Sequence, residues 1–169
     1  LEVLRKLWTG DWREDQGRHI VFDSLRILPA PSASVPIYLG GSSPVALRRT
    51  ARIADGWIGN SFFCETADVF FDEIRVGAES VGKTLGDIDL TVSVSCEITD
   101  DVEEAGRRHA SGFAFTFGAM GSATSNFYND AFARQGFGDE VAEVQRLWLD
   151  GDRAAADARG RLGRRVRGD

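Results

Sequence analysis

The sequence predicts an α/β protein, and three observations carry that reading. A short, continuously apolar run, Val35-Pro36-Ile37-Tyr38-Leu39, stops at Gly40-Gly41. A helical stretch follows, with Leu47, Ala51 and Ala54 on its apolar face, and a second apolar strand opens at Trp57-Ile58. Strand, glycine loop, helix and strand packed into residues 35–58 form a βαβ unit. A crossover of that kind joins parallel strands.

The 169 residues are 43% hydrophobic and 27% charged, the balance of one ordinary globular core or part of one. The chain opens on Leu1 inside a helical pattern and its single methionine is Met120, so it reads as a fragment of a longer protein. A net charge of -6 and a pI near 5.0 argue against a nucleic-acid partner, because counterion release needs a concentrated basic face. No apolar run approaches the roughly 20 residues a membrane helix needs, and no signal segment opens the chain, so no membrane partner and a cytoplasmic location are expected.

In chain order, Leu1, Leu4, Leu7 and Trp8 recur at helical spacing and stop at Thr9-Gly10. Residues 11–34 read as an insertion: a polar stretch over 11–18, then two short strands around Asp23-Ser24, ended by Pro29-Ala30-Pro31. After the strand over 35–39, Ser43 suits a helix N-cap with Pro44 at the first helical position, and Arg48, Arg49 and Arg52 are expected to face water. Thr66 can cap the next helix, which carries Phe70, Phe71, Ile74, Ala78 and Val81.

Residues 90–98 alternate, with Leu90, Val92, Val94, Cys96 and Ile98 on one face of an expected strand and Glu97 on the polar row. Asp100 and Glu103 have capping-box spacing for a helix whose face would include Val102, Ala105, His109, Gly112 and Phe113. Helical patterns then cover 128–135, 140–150 and 153–158, and residues 159–169 form a basic tail that is expected to be disordered. About four core strands are expected in all.

Gly40-Gly41-Ser42-Ser43 is the segment that points to chemistry. Glycine lacks the Cβ that would keep an anion from the backbone N–H groups, and a helix N-terminus adds a favourable dipole. The same four residues also make a serviceable turn and helix cap. They are neither a G-x-G-x-x-G nor a P-loop, since no Lys follows the second glycine.

Other candidates have plainer readings. His109 is expected to be a satisfied core or interface histidine, Glu97 a paired or solvated charge, Trp57 packing, and Phe113, Phe115 and Phe117 core. Cys64 and Cys96 lack C-x-x-C spacing and a nearby His, which suggests reduced core thiols and no metal site.

Residues 35–58 resemble the region of luciferase-like monooxygenases and their coenzyme F420-dependent relatives that spans the cofactor-phosphate loop and the following strand. Residues 4–11 and 127–137 are similar to the same family. The resemblance implies the second half of a TIM (β/α)8 barrel with extra C-terminal helices. Gly40, Gly41, Ser42 and Ser43 would contact the phosphate of F420 or FMN, and Asn60 would lie on the substrate side. It implies hydride transfer between the (deaza)flavin and a small organic substrate, with no catalytic residue transferable to this chain. A sugar-phosphate-binding barrel enzyme and a non-catalytic remnant are the alternative readings. Half a barrel leaves strand edges open, so a homo-oligomer is expected.

Overall fold

The structure, a computed structural model, describes residues 1–160 apart from Ser61 and Ala123. Helix α1 (Glu2–Leu7) ends at a turn where Gly10 takes a φ of 76°. Strands β1 (Arg13–Gln16) and β2 (Val21–Leu25) pair antiparallel, and the hairpin closes where the Gly17 N–H donates to the Ile20 carbonyl at 3.0 Å. Residues 11–34 therefore hold a hairpin, but not one centred on Asp23-Ser24: both residues lie inside β2, and the polar stretch supplies β1. Its Asp15 is half-buried through an ion pair with Lys6 at 3.3 Å rather than through apolar packing, so hydrophobic alternation had nothing to reveal.

The parallel unit follows. It comprises β3 (Tyr38–Leu39), α2 (Pro44–Ile53), β4 (Gly56–Gly59), α3 (Asp68–Glu79) and β5 (Asp89–Val92). The sheet order is β3-β4-β5 with both pairs parallel, Leu39 opposite Trp57 and Gly59 opposite Val92. The sheet thus has three strands where about four were expected. Strand β3 is short because Pro36 has no N–H to offer a ladder. The backbone still holds its line at buried Ile37, whose carbonyl accepts the N–H groups of Asp55 and Gly56 while its own N–H donates to the Asp55 carboxylate at 2.8 Å.

Strand β5 stops at Val92, well short of residue 98. Its neighbour β4 ends at Gly59, opposite Val92, and a strand persists only as far as it has a ladder to join. Leu90 packs against the core of the sheet, but beyond that point Val94 and Ile98 are 80% and 100% exposed, so only the start of the apolar row read over 90–98 is half-buried.

Helices α2 and α3 pack on this sheet around Leu47, Ala51, Trp57, Phe70, Ile74 and Ala78. They come so close that a Cβ on Gly77 would lie 2.5 Å from the Arg48 carbonyl oxygen. Arg49 and Arg52 face water as expected, whereas half-buried Arg48 pairs with Glu73 of α3. Thr66 does not cap α3. It sits in a tight turn before it, and its hydroxyl donates to the Gln135 side-chain oxygen at 2.9 Å.

A second cluster, of helices only, completes the described chain: α4 (Val102–Ala119), α5 (Phe127–Phe132), a wide turn (Ala133–Phe137), α6 (Gly138–Leu149) and α7 (Arg153–Arg159). Ala114, Phe117, Phe132, Phe137, Val141, Val144 and Ala156 form its core. The N-cap of α4 is Asp101, which accepts the Glu104 N–H at 2.8 Å, one residue later than the capping-box spacing suggested.

The buried stripe of α4 is Ala105, Ala110, Ala114 and Phe117, so Val102, His109 and Phe113, expected inside, are exposed, as is Phe115. Small residues win the interior because α4 approaches its neighbours closely: a Cβ on Gly118 would lie 2.2 Å from the Trp148 ring. Arg159, expected to open the basic tail, instead ends α7, and residues 161–169 lie outside the described residues. Among the described residues no helix is long and apolar enough to cross a membrane.

Candidate functional site

The C-terminal ends of β3 and β4 lie side by side, since Leu39 pairs with Trp57. The segment that follows β3 is Gly40-Gly41-Ser42-Ser43, and the residue that follows β4 is Asn60, so the structure brings all five sequence-predicted residues to one edge of the parallel sheet. This is the edge on which sites form in folds of parallel strands.

The two glycines serve different ends. Gly41 has a φ of 115°, a region that L side chains rarely adopt, and a Cβ there would lie 3.1 Å from that of Ala46. The turn itself demands this glycine. A Cβ on Gly40 would meet only the Ile58 carbonyl, at an ordinary 3.8 Å. Nothing among the described residues requires a glycine at position 40, and its missing Cβ leaves an open cradle that a side chain would fill.

Ser43 is the N-cap of α2, with its hydroxyl accepting the Ala46 N–H at 3.3 Å and Pro44 at the first helical position. Both the cap and the phosphate reading singled out this residue; in the structure its side chain serves the helix. The N–H groups of Ser42 and Ser43 have no acceptor among the described residues.

Two contacts beneath the loop were not legible in the sequence. Trp57, 2% exposed and stacked against Phe62 and Phe70, donates its indole N–H to the Gly41 carbonyl at 2.9 Å. It packs as expected and does more: a buried indole N–H needs an acceptor, which was the available signal. Arg134, in the wide turn after α5, donates from Nη2 to the Ser42 carbonyl. Its guanidinium lies 5.0 Å from the centroid of the Phe70 ring. Burial lowers its pKa, with Glu73 and Asp130 opposing the shift.

Asn60 is exposed and makes no hydrogen bond among the described residues. The remaining candidates lie elsewhere. Glu97 accepts from Arg108 and approaches His109 Nε2 at 2.9 Å, and these bonds, that of His109 first, hold its carboxyl below the usual range. His109 is thus a surface partner of Glu97 rather than a core histidine. Cys64 and Cys96 are exposed free thiols, not core ones, the first on a tight turn and the second in the irregular segment after β5. Among the described residues no group of three or more His, Cys, Asp or Glu side chains could hold a metal ion.

Comparison with known proteins gives this edge a family context. The profile of the luciferase-like monooxygenase family matches residues 1–164. The chain is 32% identical over 107 residues to an F420-dependent glucose-6-phosphate dehydrogenase of Nakamurella multipartita, covering 62% of this chain and 32% of that protein. It is 28% identical over 121 residues to a putative coenzyme F420-dependent oxidoreductase of Mycobacterium tuberculosis, covering 70% of this chain and 35% of the relative. In fold it resembles the coenzyme F420 dependent tetrahydromethanopterin reductase from Methanopyrus kandleri, with a TM-score of 0.70 at 20% identity over 94% of this chain and 44% of that one. The chain therefore spans about a third of the length of the relatives it matches.

Proposed function

We propose, from the premise that this chain belongs to the luciferase-like monooxygenase family, that it supplies the phosphate grip of an F420- or FMN-dependent oxidoreductase. Its parallel strands would be part of a (β/α)8 barrel, and the open edge beyond β3 and β4 would look into the barrel mouth. The observation that carries the reading is the pair of unsatisfied N–H groups at Ser42 and Ser43, set beside the open space at Gly40 and at the N-terminus of α2.

The residues present fit a phosphate monoester or diester. Two free amides can donate to its oxygens, the N-terminal dipole of α2 contributes roughly 0.3–1 kcal/mol, and Gly40 leaves room for the backbone to approach. When bound, the (deaza)flavin ring would supply hydride transfer to or from a small organic substrate. The chain's own part is to hold the phosphate, to orient the cofactor from that end, and to offer Asn60 on the neighbouring strand end to the substrate side.

Fluorescence titration with F420 and with FMN tests the reading. Saturable binding of one or both is expected, and Gly41→Val is expected to abolish it, since any side chain at φ 115° strains the loop and meets Ala46. Absence of binding by either cofactor sinks the proposal. Binding of a simple sugar phosphate with no (deaza)flavin binding would favour a sugar-phosphate enzyme instead.

A further inference from the structure

We infer that Arg134 is a positioning residue for the phosphate grip, one that turns the Ser43 N–H outward and makes cofactor affinity depend on the C-terminal helical cluster. The inference rests on the phosphate reading of the loop and adds a residue from another part of the chain.

A trans peptide is planar, so a carbonyl and the N–H that follows it point in opposite directions. Two consecutive carbonyls of the loop are each held from below. The indole of Trp57 holds the Gly41 carbonyl, and the guanidinium of Arg134 holds the Ser42 carbonyl. The N–H groups of the same two peptide units belong to Ser42 and Ser43, and they are thereby aimed away from the protein, as neighbours. Successive N–H groups converging on one side form a concavity suited to an anion. Trp57 stands on β4, inside the same βα unit as the loop, whereas Arg134 reaches in from the turn between α5 and α6.

Three further features fit this role. The guanidinium is held in place by the Phe70 face at 5.0 Å, so it is a fixed donor rather than a mobile surface charge. Its Nη1 is buried and, among the described residues, has no hydrogen-bond partner, so the positive charge at the loop, though opposed by Glu73 and Asp130, is not spent on a hydrogen bond at that nitrogen. In a desolvated setting that charge favours an anion above it. Lysine would keep the charge but lacks the planar fork that lets one nitrogen grip the carbonyl while the guanidinium packs on the Phe70 ring.

Amide NMR spectra of the unchanged chain, Arg134→Met and Arg134→Lys, each titrated with FMN and with riboflavin, test the inference. Riboflavin is FMN without its phosphate. In the unchanged chain FMN should shift the Ser42 and Ser43 amides and bind more tightly than riboflavin. In Arg134→Met the FMN affinity should fall by about tenfold or more, the size expected for a charge-assisted bond, with riboflavin affinity unchanged. Arg134→Lys should recover part of the loss. Thermal melts show whether either variant is folded.

Equal FMN affinity in the unchanged and Met chains overturns the role of Arg134 while leaving the phosphate reading intact. An equal fall for FMN and riboflavin means the arginine supports only the fold, and also overturns it. If the unchanged chain shows no preference for FMN and no shift at Ser42 or Ser43, the phosphate reading fails first and this inference with it.

Discussion

Gly40→Ala separates a glycine kept for a ligand from one kept for the fold. In the structure the added methyl would touch only the Ile58 carbonyl, at 3.8 Å, and Gly40 is not among the glycines with positive φ. The folded state should therefore accept alanine without strain. Loss of glycine's freedom in the unfolded chain then stabilises the protein by about 0.4–1 kcal/mol, a rise of roughly 1–4 °C in Tm for a chain of this length. Gly41→Ala is the matched control. At φ 115°, with Ala46 3.1 Å away, it should lose about 2 kcal/mol, or roughly 4–8 °C. Calorimetry reads the stabilities, and titration with FMN against riboflavin reads the grip. Gly40→Ala should keep or raise Tm yet lose most of the FMN preference, because its methyl occupies the cradle. Undiminished FMN preference in a stable Gly40→Ala would refute the reasoning, and so would a large fall in Tm.

Gly77→Ala should be destabilising although alanine is the better helix former by about 1 kcal/mol, because its methyl would lie 2.5 Å from the Arg48 carbonyl where α2 and α3 meet. Overpacking against backbone, at about 2–3 kcal/mol the upper part of the usual range, outweighs that gain and leaves a net loss of about 1–2 kcal/mol, read as a Tm lower by roughly 2–8 °C. Asp87 accepts from the Thr84 backbone N–H and, next in weight, from the Thr84 hydroxyl, and both bonds hold its carboxyl below the usual value. Its contribution is present above about pH 4 and is lost as the pH falls through the lowered value, so Asp87→Asn should be less stable at neutral pH, and denaturation midpoints of the two chains should converge in acid. The exposed row of Val92, Val94 and Ile98, next to an edge of β5 that is unpaired among the described residues, together with exposed Phe113 and Phe115 on α4, should make the chain self-associate. Light scattering that shows a stable monomer over a wide concentration range would contradict this.

The βα unit was legible because its signals are local. The apolar run ending at Gly40, the Ser43 cap with Pro44, and the Leu47, Ala51 and Ala54 stripe each dictate structure within a few residues; the cap and the stripe stand as read, while only Tyr38–Leu39 of the strand expected over 35–39 pairs with β4. The errors arose where distant partners decide. The alternation over 90–98 is present, but β4 gives it a ladder only as far as Val92. The interior of α4 went to alanines because close approach of helices favours small side chains, so a stripe read by size pointed Phe113 and His109 the wrong way. Strand β1 is stabilised by pairing and by Lys6 on Asp15, and no apolar period marks it.

The place of the glycine loop between β3 and α2 was readable, and the side chains that hold it were not. Trp57 carried a hint in its indole N–H. Arg134 lies 92 residues from Ser42 in sequence, and nothing near it announces the contact.

The central claim is that Gly40-Gly41-Ser42-Ser43 grips a cofactor by its phosphate. Phosphorus NMR of FMN, followed as the chain is added, addresses that claim at the atom concerned. The account predicts a saturable shift or broadening of the phosphate resonance that is lost in Gly41→Val. A phosphate signal that stays at its free position while the flavin's own optical signal reports binding would contradict it, since the cofactor would then be held by its ring alone.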